Sequence, residues 1–100
     1  MILSANGQNI YPEEIEATIN NQDYVIESVV VDRGASLVAL VYVDKDKIAA
    51  EGLELEAQMN HIKAEVNKSM PAYSKIAKVE VMDQPFEKTS KMSIKRFMYK

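Results

Sequence analysis

Basic side chains are concentrated at the C-terminal end of this sequence. Residues 1–85 contain seven basic and fourteen acidic residues, and residues 86–100 contain one acidic residue against five basic ones: Lys88, Lys91, Lys95, Arg96 and Lys100. A tail with a net charge of +4 on a body with a net charge of −7 favours an anionic partner near the tail. The alternative is a solvated terminus whose charges have no specific partner.

The first sixteen residues form a second distinctive group. Residues 1–5 predict a short apolar strand, and Asn6 and Gly7 predict a turn because both residue types tolerate positive φ. Pro12 suits the first position of a helix, where its missing N–H is not needed. The first turns of that helix carry carboxylates that complement the helix dipole and that we expect to be solvated: Glu13, Glu14 and Glu16.

Three further strands must position these two ends. Residues 25–32 and 37–43 are rich in β-branched and aliphatic residues, and the short turn between them predicts antiparallel pairing. The second of these strands is apolar on both faces, so we expect it to be central, with both faces covered. Residues 78–82 alternate between polar and apolar types and predict a third strand.

Two helices are predicted, at residues 12–21 and 54–69, and the second has one apolar face. Residues 44–47 and 86–93 predict polar loops, with a helical turn at residues 48–52. His61 lies on the polar side of the second helix, where we expect it to be exposed. The fold class that follows is α+β: a small, mainly antiparallel three-stranded sheet plus a short N-terminal strand, with two helices packed on it.

Composition excludes several classes of protein. One hundred residues make one domain, and 47% hydrophobic and 27% charged residues are ordinary for a globular protein. The absence of cysteine excludes disulfides and thiol chemistry. No apolar run long enough for a transmembrane helix and no signal peptide is visible, and we expect a cytoplasmic location. Nucleic acid is not expected as a partner, because the body is acidic and few aromatic residues lie among the basic ones.

Three motifs carry a resemblance to a known family. Residues 7–16, with the sequence Gly-Gln-Asn-Ile-Tyr-Pro-Glu-Glu-Ile-Glu, resemble the G-x-x-I-x-P-x-E-I-E signature that opens the C-terminal domain of adenylate-forming enzymes. This superfamily contains acyl-CoA synthetases, peptide-synthetase adenylation domains and luciferases, and residues 2–12 are most similar to the long-chain fatty acyl-CoA ligases. Residues 69–73 resemble the family's L-P-x-Y, and residues 85–96 resemble its last motif, P-K-T-x-x-G-K-I-x-R.

The resemblance implies that residues 1–100 are a single mobile C-terminal lid of an ATP-dependent acyl-CoA synthetase. In this family the lid rotates between two steps, so the resemblance implies that it offers a basic loop to acyl-adenylate formation and a glycine loop to coenzyme A thioester formation. The expected substrates are fatty acid, ATP and coenzyme A, with magnesium, all bound by the full-length enzyme and none held tightly by this chain. The expected partner is the enzyme's own N-terminal adenylating domain, outside this chain, and the 100-residue chain alone should be inactive. Peripheral membrane association of the full-length enzyme is compatible with this assignment.

The site residues implied by the resemblance fall into two groups. The coenzyme A side comprises Ser4, Gly7, Gln8 and Asn9, because a glycine loop allows the pantetheine arm to approach the backbone. The catalytic cation belongs to the last motif, and no metal ligand is expected in this chain.

The last motif departs from the family pattern. In ungapped register its glycine falls at Met92 and its lysine at Ser93, which cannot supply a cation. A neighbouring lysine could serve, and we favour Lys91 over Lys95, with Lys88 the third candidate. Cations from the N-terminal domain and a weak adenylation step both stay open as alternatives to a neighbouring lysine. An alternative function is a free-standing α+β ligand-binding or regulatory module whose basic tail binds an anion.

Overall fold

The computed structural model describes residues 2–3, 7, 9–33, 36–71, 74–91, 94 and 99. Its elements in chain order are β1 (Ile2–Leu3), β2 (Asn9–Ile10), α1 (Pro12–Asn20), β3 (Val25–Arg33), β4 (Ser36–Val43), α2 (Lys45–Ala50), α3 (Leu55–Lys68) and β5 (Ile76–Val81). The predicted α+β class is confirmed. Strands β1 and β2 form a small antiparallel pair, separate from a three-stranded sheet in the order β3-β4-β5.

Strand β4 is the central strand, as its two apolar faces predicted. It pairs antiparallel with β3, through the contacts from Val25↔Val43 to Arg33↔Ser36, and parallel with β5. The parallel pairing follows from the connection, because α2 and α3 carry the chain across the sheet before β5 begins. Alternate β4 side chains enter two different cores: Ala39 and Val41 in one, and Val38 and Leu40 in the other.

We call the two sides of this sheet the helix face and the loop face. The helix face packs against α1 and α3 through a core that includes Ile15, Ile19, Ile62 and Val66, all 2% exposed or less. The loop face is covered by residues that follow β5, with Phe86 4% exposed at its centre. Phe86 corrects one expectation, because residues 86–93 were predicted to be a polar loop and the loop instead buries a large aromatic side chain.

Residues 44–47 also differ from expectation, since the predicted polar loop is the start of a helix. Asp44 caps α2, and its carboxylate accepts a 3.0 Å hydrogen bond from the backbone N–H of Lys47. Ile48 is the buried residue of this short helix. Because the segment is rich in charged residues, its composition predicted a loop. The Asp44 cap and the burial of Ile48 stabilise a helix there instead. Within the described residues, no helix is long and apolar enough to cross a membrane.

Candidate functional sites in two motifs

The first motif begins at a turn that requires positive φ. Gly7 has φ +80°, and a Cβ added there would meet no atom within 4 Å. The need for glycine is therefore conformational, and the space on that side of the backbone is open. Asn9 is exposed beside Gly7, in the β1–β2 pair, whereas the next residue, Ile10, is 3% exposed in the helix-face core. Ser4 and Gln8, the other two residues predicted on the coenzyme A side, lie outside the described residues.

The helix of this motif starts as predicted, with Pro12 at its first position after Tyr11. Glu13 and Glu14 are exposed, as expected for side chains that complement the helix dipole. Glu16 is not: it is 6% exposed, and its Oε2 accepts a 2.7 Å hydrogen bond from the backbone N–H of Val30. The expectation that Glu16 is solvated was wrong, because its carboxylate satisfies an edge-strand N–H instead.

A second contact holds the same helix on β3. Ser28 is 2% exposed, and its hydroxyl donates a 2.7 Å hydrogen bond to Asn20 Oδ1 at the end of α1. Together with the Glu16 contact, this bond fixes α1 along the edge strand of the sheet. The turn at Gly7 is therefore attached, through β2 and α1, to the helix-face core of the domain.

The described residues of the last motif lie on the loop face of the sheet, opposite the helices. Lys88 and Ile94 form an isolated antiparallel bridge, and Ile94 packs against the loop-face core. Below the bridge, the ring of Phe86 meets the ring of Tyr99 edge to face, with centroids 5.0 Å apart. The backbone N–H of Glu87 donates a 2.6 Å hydrogen bond to Tyr99 Oη. We call residues 88–94, closed by the bridge, the lysine loop.

The two described lysines of this loop have different surroundings. Lys88 Nζ donates a 2.9 Å hydrogen bond to Glu27 Oε1 on β3. Lys91 lies midway between the two bridged residues and is exposed, with its backbone N–H donating to Thr89 Oγ1 at 3.3 Å. Among the described residues, the Lys91 side chain has no ion-pair partner. Ser93 and Lys95 lie outside the described residues.

The middle motif, residues 69–73, is flanked by a contact that the sequence did not predict. Asn67, at the end of α3, binds the backbone of Ile76 twice, through its amide nitrogen (3.0 Å) and its amide oxygen (2.8 Å). This clamp sets where β5 starts, two residues earlier than the predicted strand. Ala72 and Tyr73, the last residues of the motif, lie outside the described residues.

Other surface features lie away from both motifs. A groove of about 390 Å³ between α3 and β5 is lined by residues such as Met59, Lys63 and Val79. His61 is exposed, as predicted. The described residues contain no group of three or more acidic, histidine or cysteine side chains that could hold a metal ion.

Comparison with known proteins gives a match along nearly the whole chain. Residues 1–99 match the model of the family described as "AMP-binding enzyme C-terminal domain". No curated protein matches the chain.

Several solved structures share the fold. The anthranilate CoA ligase AuaEII in complex with anthranoyl-AMP has a TM-score of 0.82 at 22% identity, covering 98% of this chain and 18% of that chain. For ATP-bound MatB from Rhodopseudomonas palustris the TM-score is 0.74 at 23% identity, and for a Mycobacterium tuberculosis fatty acyl CoA synthetase it is 0.70 at 22% identity. Both comparisons also cover 98% of this chain and 18% of the other. This chain thus spans 18% of the length of each of these three proteins.

Proposed function

The chain belongs to the AMP-binding enzyme C-terminal domain family, and from that premise we propose that it is the mobile lid of an ATP-dependent acyl-CoA synthetase. In the first step the substrate carboxylate attacks the α-phosphorus of ATP and displaces pyrophosphate, giving an acyl-adenylate. In the second, the thiol of coenzyme A attacks the acyl carbonyl, loses its proton and displaces AMP. The lid supplies the lysine loop to the first step and the Gly7 turn to the second.

The placement of the two motifs on opposite faces of one sheet is the observation that carries this proposal. Ile10, which follows the Gly7 turn, packs on the helix face, whereas Phe86 and Ile94, which hold the lysine loop, pack on the loop face. Because the two motifs lie on opposite faces, a domain held in a single orientation cannot readily place both of them at the same active site. A rotation of the lid between the two steps solves that problem.

Lys91 is the cation we assign to acyl-adenylate formation. Negative charge accumulates on the phosphate and on the attacking carboxylate, and a positive group placed there stabilises the transition state. Lys91 is exposed in the middle of the lysine loop, two residues from Ser93, where the family has its lysine. Lys88 is held by Glu27 and is the weaker candidate. Lys95, a cation from the N-terminal domain and a weak adenylation step stay as alternatives.

The Gly7 turn is the part we assign to coenzyme A. Its open side, where a Cβ would meet no atom within 4 Å, leaves room for a pantetheine arm to pass along the backbone. The exposed Asn9 offers an amide nearby, and Ser4 and Gln8 belong to the same proposed contact surface.

The remaining assignments extend the proposal to the whole enzyme. The N-terminal adenylating domain binds ATP and magnesium and supplies the acyl pocket, so the 100-residue chain alone is inactive. We infer a long-chain fatty acid as the acid substrate, on the likeness of residues 2–12 to that subfamily. The similar structures named above include a fatty acyl CoA synthetase and an anthranilate CoA ligase, so the choice of acid needs a direct test. We also infer a cytoplasmic enzyme, which fractionation of cells would check.

Assays of the full-length enzyme with a panel of acids test the proposed function. Straight-chain acids of short, medium and long length are compared with benzoate and anthranilate, first for pyrophosphate release with ATP and then for thioester formation after coenzyme A is added. We expect both activities, with the highest turnover on long-chain acids. Aryl acids as the best substrates would overturn the long-chain assignment alone. Absence of pyrophosphate release with every acid would overturn the synthetase assignment and favour a binding module.

A further inference from the structure

One ion pair connects the lysine loop to the sheet. Lys88 Nζ lies 2.9 Å from Glu27 Oε1, and the two residues are 61 positions apart in the sequence. Their side chains are 30% and 16% exposed, which makes this the most buried ion pair between described residues. A pair shielded from water in this way is screened less by solvent than an exposed pair, and losing one partner leaves the other charge uncompensated.

Glu27 depends on this contact more than a surface carboxylate would. Its second oxygen, Oε2, is buried and has no hydrogen-bond partner among the described residues. A buried carboxylate oxygen without a donor is unfavourable, so the carboxylate is tolerated here because Lys88 neutralises its charge.

A bulge in β3 places Glu27 on the side of the sheet where the loop lies. The pairing with β4 shifts register between Val25 and Glu27, which leaves Ile26 as the extra residue, 52% exposed. Val25 packs against the helix-face core, whereas Glu27 has the same parity along the strand as Val29, which lies in the loop-face core. Without the bulge, Val25 and Glu27 would point to the same face.

We propose that Glu27 is a positioning residue that holds the lysine loop through Lys88, and that Lys88 is a tether and not the catalytic cation. The tether lies at the base of the loop, at the bridge to Ile94, and leaves Lys91 exposed at the middle. The part of this inference that concerns catalysis rests on the proposed function, whereas the tether itself is a property of this chain.

Hydrogen exchange of the chain tests the tether without any assay of activity. In Glu27→Gln and in Lys88→Met, the backbone amides of residues 86–88 should exchange about tenfold faster than in the wild type, while amides of β4 keep their rates. The matched control is Glu80→Gln, which removes the partner of Arg33 and Lys78 in two more exposed pairs and should leave the loop unchanged. Unchanged exchange at residues 86–88 in both tether variants would overturn the proposal.

Half-reactions of the full-length enzyme test the positioning role. Glu27→Gln should slow acyl-adenylate formation about tenfold and leave thioester formation from preformed adenylate unchanged, and exchanging the two residues (Glu27→Lys with Lys88→Glu) should restore at least part of the rate. If Lys88 were the catalytic cation, Glu27→Gln would release Lys88 from its ion pair and would not slow acyl-adenylate formation. The exchanged pair would then stay inactive, because no lysine remains at position 88. These two results together would refute the positioning role. Normal adenylation in Lys91→Ala would instead count against Lys91 as the cation, and no adenylation by the wild type with any acid would count against the proposed function. Neither result would change the hydrogen-exchange test of the tether, so the failures are distinguishable.

Discussion

Glu16 Oε2 accepts a 2.7 Å hydrogen bond from the backbone N–H of Val30 and thereby fastens α1 to the edge strand β3. Glu16 is the last residue of the first motif, and at 6% exposure its side chain lies in the interior. The contact gives this glutamate a structural role: it satisfies an edge N–H that would otherwise be buried without a partner. The motif thus combines a turn that faces outward with a carboxylate that faces the core.

Replacing Glu16 should destabilise the fold. We expect Glu16→Ala to lower the free energy of unfolding by about 2 kcal/mol, because the Val30 N–H loses its acceptor and the side chain leaves a small void. Glu13→Ala is the matched control on the same helix, and since Glu13 is exposed its effect should stay below about 0.5 kcal/mol. Urea unfolding followed by circular dichroism measures both values. Equal stability of the two variants would contradict the role given to Glu16.

Comparison with a second glycine separates the conformational role of Gly7 from its proposed functional role. Gly7 and Gly52 have similar backbones, with φ +80° and +74°, and a Cβ at either meets no atom within 4 Å. We expect Gly7→Ala and Gly52→Ala to cost about 1 kcal/mol of stability each, from the strain of positive φ. Only a large side chain at Gly7 should then affect the reaction.

The functional half of this comparison uses leucine. Gly7→Leu in the full-length enzyme should slow coenzyme A attack on preformed adenylate about tenfold or more, because the side chain occupies the path of the pantetheine arm. Gly52→Leu carries the same backbone strain and should leave that step unchanged. A normal rate of thioester formation in Gly7→Leu, or an equal loss in both variants, would remove the Gly7 turn from the coenzyme A site.

Tyr24 should make the stability of the fold depend on pH in the alkaline range. Its hydroxyl donates a 2.7 Å hydrogen bond to Glu51 Oε1, and this bond, followed by desolvation and by the charges of Glu51 and Asp23, raises the pKa of Tyr24 above its ordinary value of 10.0. A folded-state pKa above the unfolded one adds stability below pH 10.0, and this stability is lost as the pH rises through the folded value.

The Tyr24→Phe variant isolates that contribution. It keeps the ring under the Lys47 ammonium, which lies 5.6 Å from the ring centroid, and removes only the hydroxyl. The wild type should be the more stable protein at neutral pH, and its advantage should shrink as the pH rises above 10.0. Denaturant midpoints of both proteins measured across this range provide the test. If the stability advantage of the wild type grew with pH, the predicted direction of the pH dependence would be wrong.

Local patterns predicted α1, α3 and the central strand β4 well. The fixed φ of Pro12 and the apolar spacing of α3 depend on neighbouring residues alone, and both helices are where these features placed them. The central position of β4 followed from its two apolar faces, because only a strand covered on both sides has that composition.

Contacts between distant residues were not predictable in the same way. The burial of Glu16 depends on a strand fourteen residues later, and the Glu27–Lys88 pair joins positions 61 apart. From residue type alone, Glu16 could not be distinguished from the solvated Glu13 and Glu14. Lys88 likewise could not be distinguished from the other lysines of the tail. The parallel pairing of β5 likewise depends on the path of the chain through α2 and α3 and not on the residues of the strand.

The rate of acyl-adenylate formation in the Lys91→Ala variant of the full-length enzyme tests the central claim most directly. Lys75→Ala is the control, because Lys75 is also exposed and lies outside both motifs. We predict that Lys91→Ala slows the first half-reaction about 100-fold, since one group that stabilises developing charge is lost, and leaves thioester formation from preformed adenylate within about twofold of the wild type. Equal rates of adenylate formation in Lys91→Ala and Lys75→Ala would contradict the account.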